Sequence, residues 1–338
     1  MPPFECYLRS YPLPDEAAET ARTAEADGWD GLLFVDTQNL LYDTFASLYL
    51  AAAATTRLRL GTAATNPITR HPAVLAATFA TLQHVTRGRA HLGIGRGDTA
   101  LTLIGEPLPP PARFEVLLAQ LQAFLRGETV ALNDFPSHIA WLPEPDAAKV
   151  PVAVFASGAS VIDVAARVGD RLTLAVGAEP ERVQWGISTA RDACQRAGLD
   201  PAAYPIGAFV VVAVGTDRDA LRELVRANAS VSAHFQRGSL PLLRPADQSV
   251  VAAVLRDYDK YHHGTDRAPQ ARDLPLEFLD RFTIIGPPDY CVDRLRALLA
   301  LGLDHLVVVG ASRDADPPTR HRLDRRFAAE VLPALRAP

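Results

Sequence analysis

A (β/α)8 TIM barrel is the fold that this sequence predicts, and three observations predict it. Eight apolar runs of strand length recur along the 338 residues, helical segments separate them, and the runs are continuous rather than alternating. Strands that are apolar at every position are buried on both faces, and helices between them favour a parallel sheet. Eight β/α units closing on themselves is the economical way to bury such a set. An open doubly wound sheet with a second domain is the alternative.

The elements follow in order. Residues 4–8 read as the first strand, and residues 15–27 as a helix whose alanines give high propensity and which Gly28 stops. Residues 31–35 (GLLFV) are the second strand, 43–55 a helix, and 57–60 (RLRL) the third strand. Pro72 suits a first helical turn and opens a helix to residue 85. Residues 89–94 form the fourth strand and 111–125 the helix after it. The rhythm resumes with strands at 150–155, 171–176 and 206–214, followed by helices at 159–168, 179–197 and 218–235. A helix at 289–301, a strand at 305–309 and a terminal helix at 320–335 complete the set.

Two segments break this rhythm. Residues 127–149, with Pro136, Pro143 and Pro145, read as a loop or short hairpin. Residues 238–282 carry Pro241, Pro245, Pro269 and Pro275 and a helical patch over 247–261. That stretch reads as an insertion before the last βα unit, a lid over the barrel mouth. No linker divides the chain, so residues 1–338 are expected to form a single barrel domain.

Composition excludes several classes of function. Hydrophobic residues make up 48% and charged residues 22%, the balance of a globular protein with a sizeable core. The net charge is −5 and no basic stretch offers a phosphate-tracking surface, so no nucleic-acid partner is expected. Cys6, Cys194 and Cys291 are odd in number and far apart, forming neither a disulfide framework nor a C-x-x-C motif. A reduced, cytoplasmic setting is expected. The first residues lack a secretory-signal pattern, and no run approaches about 18 apolar residues, so no membrane span is expected.

Barrel active sites are built just past strand ends, and four such segments are small and polar. They are Asp36-Thr37-Gln38-Asn39, Gly61 to Pro67 (GTAATNP), Gly95-Arg96-Gly97-Asp98 and Ala156-Ser157-Gly158-Ala159-Ser160. Turn and cap chemistry accounts for any one of them; four at one end point to a ligand pressed against backbone. The run GIGRGD is not a dinucleotide fingerprint, because its third glycine comes one position early and Asp98 would repel a diphosphate. The following TALTLIGEP is also a poor helix start. As a backbone platform for a planar ring the segment makes better sense. Residues 156–160, between a strand and a helix, offer free amides and two hydroxyls to a phosphate. No H-E-x-x-H spacing or acidic cluster accompanies the histidines, so no metal is expected, and there is no G-x-S-x-G elbow. His91 reads as a core histidine, and His262-His263 as solvated surface.

The stretches at 61–72 (GTAATNPITRHP), 88–105 (GRAHLGIGRGDTALTLIG), 157–175 and 284–309 (IIGPPDYCVDRLRALLALGLDHLVVV) resemble the bacterial-luciferase-like family of oxidoreductases. Within it the chain is most similar to the branch typified by methylenetetrahydromethanopterin reductase, which uses the 8-hydroxy-5-deazaflavin coenzyme F-420. The resemblance implies a luciferase-like barrel with a non-prolyl cis peptide at Ala63–Ala64 behind the central ring of the coenzyme. It places Thr65 and Asn66 on the ring's polar edge, Asp36 near its hydroxybenzyl end, and Gly97 and Asp98 beside it. Ser157, Gly158, Ala159 and Ser160 would hold the phosphate, with Gly177 nearby. A homodimer through residues 47–55 and 73–81 is also implied. The chain departs from the family at Thr37, where many relatives have His, and at Asp170-Arg171, where Asp-Gly is usual. Its phosphate loop lacks the common proline, and Tyr7 is the closest match to a carboxylate of the reductase branch.

The activity so implied is hydride transfer between the deazaflavin and a small organic substrate. Tyr7, Asp36 and Asp98 are the catalytic candidates, Tyr7 and Gln38 the substrate contacts, and Arg70 and Arg96 candidates for the acidic coenzyme tail. One alternative keeps the fold and takes flavin mononucleotide (FMN), giving a monooxygenase that uses oxygen. Another, from a different class, is a non-catalytic flavin-binding barrel.

Overall fold

The computed structural model describes residues 4–142 and 148–337. Its strands are β1 (Glu5–Ser10), β2 (Gly31–Phe34), β3 (Arg59–Thr62), β4 (Ala90–Ile94), β5 (Val130–Leu132), β6 (Phe135–Ser137), β7 (Val152–Ala156), β8 (Arg171–Leu174), β9 (Ile206–Val214), β10 (Thr283–Gly286) and β11 (His305–Val309). Around them run α1 (Pro14–Ala26), α2 (Thr44–Ala54), α3 (Pro72–Thr86), α4 (Asp98–Thr102), α5 (Pro111–Leu125), α6 (Ala159–Val168) and α7 (Pro180–Arg196). They are followed by α8 (Arg218–Phe235), α9 (Pro245–Arg256), α10 (Pro269–Arg272), α11 (Leu276–Phe282), α12 (Pro288–Leu299), α13 (Pro317–Glu330) and α14 (Leu332–Arg336).

Strands β9, β11, β1, β2, β3, β4, β7 and β8 pair in that order, all parallel, and β8 pairs back onto β9 to close the ring. The eight apolar runs in the sequence are these eight staves, which excludes the open sheet. The short strand β10 was not anticipated; it extends the sheet by pairing with the far half of β9. Strands β5 and β6 form the hairpin in the 127–149 segment, turning through Asn133 and Asp134 at positive φ. Pro143 and Pro145 of that segment lie outside the described residues.

Each strand sends alternate side chains to two different cores, which is why its sequence reads apolar throughout. Cys6, Leu8, Leu32, Phe34, Leu60, Leu92, Val154 and Leu172 face outward and pack with the helices. Tyr7, Leu33, Ala63, Phe209, Val211 and Val307 fill the barrel lumen. The N-terminal end of the lumen is plugged by polar groups that satisfy one another. Tyr7 Oη donates to Glu5 (2.8 Å) and lies 3.1 Å from Arg59, Arg171 bridges Glu5 and His305, and Thr173 bonds His305 at 2.8 Å. His91 is in the same lumen, its ring 5.0 Å from that of Tyr7, and burial pushes it well below the usual imidazole range.

Residues 236–282 pack beside the barrel mouth and contribute Arg237, Gly238, His263 and Gly264 to its lining. A 3-10 turn (Gln236–Leu242), α9, α10 and α11 pack on the second half of α8 through Leu243, Val251, Val254, Phe278 and Phe282 against Ala229 and Ala233. Because α8 carries several residues of the mouth, its start is worth a test. Asp217 caps it, its carboxylate accepting from the Ala220 amide at 3.1 Å. Asp217→Ala is expected to cost about 1 kcal/mol in urea unfolding and to leave ligand affinity unchanged. Among the described residues, no helix is long and apolar enough to cross a membrane.

Candidate active site

At the C-terminal ends of the staves lies a cavity of about 470 Å³. One part of its wall is bare backbone and small side chains. Strand β3 pairs with β4 at Leu60–Ala90 and Gly61–His91, then rejoins it only at Thr65–Ile94, so β3 holds one extra residue in a bulge. The bulge is pinned by Thr65 N–H donating to Gly93 and Gly95 N–H donating to Thr65. It presents Ala63 and Ala64 to the cavity, and the peptide between them is cis. Gly97 continues the wall at φ +100°, where a Cβ would stand 2.8 Å from that of Asn66, so only glycine fits.

Beneath this wall Asp36 is buried. Its carboxylate accepts from Thr65 Oγ1 at 2.6 Å and from Arg70 at 3.2 Å. Burial lifts the carboxyl above its ordinary range, against the pull of Thr65 and Arg70. Arg70 is therefore occupied by Asp36 and Asp43 rather than facing the cavity, whereas Arg96 lines it and donates to the Pro109 carbonyl.

Across β7 the wall becomes a cradle for an anion. Gly158 is the N-cap of α6 and has no side-chain cap, which leaves the first-turn amides of Ala159 and Ser160 open. Ser157 donates its hydroxyl to the Phe235 carbonyl at 2.5 Å, so Ser160 supplies the hydroxyl that remains. Gly238 Cα comes within 3.6 Å of where a Cβ on Gly158 would stand, and this approach brings the exposed Arg237 to the same lining.

The polar centre of the cavity joins the β4 end to α8 and the insertion. Asp98 accepts from His234 Nε2 at 2.7 Å and from Lys260 at 2.9 Å. Burial raises its carboxyl, but the His234 hydrogen bond and the neighbouring charges outweigh that and hold it well below the usual range. A carboxylate only accepts, so Nε2 of His234 carries the proton between them, with Lys260 Nζ 2.9 Å from the same nitrogen, and in the neutral ring Nδ1 is the lone pair. That Nδ1 is buried and has no partner among the described residues. Burial also lowers the His234 pKa, opposed by Asp98. His263 lines the cavity too. Its Nδ1 lies 2.8 Å from Tyr258 Oη and 3.2 Å from Thr99 Oγ1, and burial depresses it to about 3, so it is neutral.

Of the residues singled out in the sequence, Asp36, Ala63, Ala64, Thr65, Gly97, Asp98, Ser157, Gly158, Ala159 and Ser160 share this one cavity. Four do not. Tyr7 is wholly buried at the opposite pole, its phenol pushed by burial up to about 12; the β1 side chain that reaches the mouth is Arg9. Gln38 is exposed and donates to the Ala100 carbonyl outside the cavity. Asn66 spends its carbonyl on the Ile68 and Thr69 amides. Gly177 makes a left-handed turn packed against Phe282. The segment after Gly97, a poor helix start for a dinucleotide site, forms the five-residue α4. His263 is not solvated surface. The imidazoles missing at Thr37 come instead from α8 and the insertion, which no local pattern announces.

The sequence matches the profile of the luciferase-like monooxygenase family over residues 5–305. It is 27% identical over 299 residues to the 5,10-methylenetetrahydromethanopterin reductase of Methanolobus tindarius, a match covering 86% of this chain and 88% of that one. It is 30% identical over 295 residues to the F-420-dependent glucose-6-phosphate dehydrogenase of Beutenbergia cavernae, covering 85% and 81%. The coenzyme F-420-dependent tetrahydromethanopterin reductase structure from Methanopyrus kandleri superposes with a TM-score of 0.81 over 99% of this chain and 100% of that one, at 19% identity, a likeness of fold. The chain belongs to the luciferase-like monooxygenase family, and these relatives are named as reductases and dehydrogenases.

Proposed function

We propose that this protein is a coenzyme F-420-dependent oxidoreductase that transfers hydride between the deazaflavin and a small organic substrate. One observation carries the reading. A ring-sized platform (Ala63, Ala64, Thr65, Gly95 and Gly97) and an anion cradle (Gly158, Ala159, Ser160 and Arg237) line one continuous cavity, as a tricyclic ring with a phosphate side chain requires. The names of the relatives favour the deazaflavin over FMN.

The donor set fits the coenzyme chemically: amides, a hydroxyl and a guanidinium for phosphate, and methyl groups against a flat ring. When bound, the deazaflavin supplies the hydride donor or acceptor. The chain supplies the rest. Residues 236–282, as a lid, exclude water. The His234–Asp98–Lys260 cluster handles the substrate proton: Asp98 holds the Nε2–H of His234, and Lys260 compensates the Asp98 charge.

Fluorescence titration of the purified protein with F-420 and with FMN tests this directly. Micromolar affinity for F-420 is the expected result, and Arg237→Gln should weaken it about tenfold through loss of a charged hydrogen bond. Binding of FMN without F-420 would instead assign the oxygen-using monooxygenase activity. Binding of either one without turnover on a broad substrate panel would leave a non-catalytic barrel.

A further inference from the structure

Arg9 is a buried guanidinium that stacks on the Tyr11 ring, 4.5 Å from its centroid, and leaves most of its hydrogen-bond donors unused. It is 9% exposed, lines the cavity and makes no ion pair among the described residues. Of its five N–H donors, one is used among the described residues, donating from Nη2 to Asn228 Oδ1 at 3.2 Å. Its Nε is buried without a partner. Asn228 is itself fixed, its amide donating to the Gly310 and Ala311 carbonyls at 3.0 and 2.9 Å. The fold thus aims a charged fork at the cavity and leaves it unsatisfied. A buried charge without a partner is costly, so this arrangement calls for an anion.

Further donors converge there. A Cβ on Gly264 would stand 3.6 Å from Asn228 Oδ1, and the Gly264 carbonyl accepts from the Arg313 amide at 2.7 Å. Arg313 gives its guanidinium to two neutral carbonyls, Leu40 and Tyr261, and forms no ion pair among the described residues. His263 precedes Gly264. Its Nδ1 faces the Tyr258 hydroxyl, which can donate to it, and its Nε2 has no partner among the described residues and is left to meet a ligand. Asp324 feels the charge of Arg9 but forms no ion pair with it, and burial lifts its carboxyl to about 7.

The position excludes the coenzyme phosphate. Strand β1 stands four places round the eight-membered ring from β7, so Arg9 lies across the mouth from the cradle at Gly158. Resting on the hydride-transfer reading above, we propose that Arg9, Arg313 and His263 form a substrate subsite for an organic anion, a carboxylate or phosphate ester. They hold the anionic group while the reacting carbon lies toward the Ala63–Ala64 wall.

The test is calorimetric titration of the F-420-loaded enzyme with benzoate, phenyl phosphate and neutral benzamide. At least one anion should bind ten or more times tighter than benzamide, and which one does so separates carboxylate from phosphate substrates. Arg9→Gln should erase that preference while F-420 affinity stays within twofold. Arg313→Gln, on a half-buried loop, should reduce it. The absence of anion preference in the unmodified enzyme, which needs no variant, overturns the proposal. Survival of the preference in a folded Arg9→Gln protein does the same. So does a tenfold loss of F-420 affinity in that variant, which would give the guanidinium to the coenzyme. If the protein takes FMN instead of F-420, the coenzyme reading fails, and the same titration on the FMN-loaded protein still decides the subsite.

Discussion

His234→Gln is expected to lower kcat by about 10²–10⁴-fold, the usual range for loss of a positioned acid–base group, with coenzyme affinity unchanged. The glutamine amide can keep the 2.7 Å hydrogen bond that Nε2 makes to Asp98, so packing and charge are conserved and only the titrating imidazole is lost. Asp98→Asn tests the other half of the pair. An amide in that place no longer dictates which nitrogen of His234 carries the proton, so turnover should fall although the side chains stay in place. The pH profile adds an independent readout. In the direction in which His234 accepts the substrate proton it must be neutral, so activity falls as pH drops through its pKa. Burial lowers that pKa, which puts the acid limb below about 6.5, the ordinary imidazole value, and His234→Gln should abolish that limb. Unchanged kcat in His234→Gln, measured with any substrate that the loaded enzyme turns over, would remove His234 from the chemistry.

Gly61→Ala should destabilise the barrel by about 3 kcal/mol or more, read as a lower urea midpoint at unchanged slope. A Cβ at Gly61 would stand 1.7 Å from the His91 carbonyl oxygen, and one at Gly93 would stand 1.9 Å from the Thr62 carbonyl oxygen. These are backbone contacts between adjacent staves, so no side chain can swing aside to relieve them. The same close approach seats the β3 bulge, with Thr62 Oγ1 donating to the Gly93 carbonyl at 2.6 Å. Coenzyme affinity should therefore fall along with stability. A Gly61→Ala protein with the parent midpoint would show that β3 and β4 do not need this spacing.

The two variants differ in how far the sequence foretold them. The wall that Gly61 supports was legible, because consecutive strand ends carry their small residues within a few positions of one another. His234 was not. It lies in the last turn of an ordinary amphipathic helix, and what makes it distinctive is Asp98, 136 residues away. Asn66 shows the opposite case. A buried amide beside a ring site looks like a ligand contact, yet the backbone amides two and three residues on are nearer donors, and its carbonyl accepts from both.

By itself the sequence determined the eight staves, the helices between them and the loops that end at one rim, because period, propensity and capping act over a few residues. It also placed the small-residue wall at Ala63, Ala64 and Gly97 and the open first-turn amides of Ala159 and Ser160, which are local turns of single βα units. Only the tertiary structure decided height and company. A two-residue period places Tyr7 and Arg9 on the same inner face but not at the same level. The step of about 7 Å between them puts one in the polar plug and the other at the mouth. Likewise the docking of residues 236–282 onto α8 brings Lys260 and His263 to Asp98 and Thr99. Contacts of such long sequence separation are set by how whole elements pack, and no local pattern encodes them.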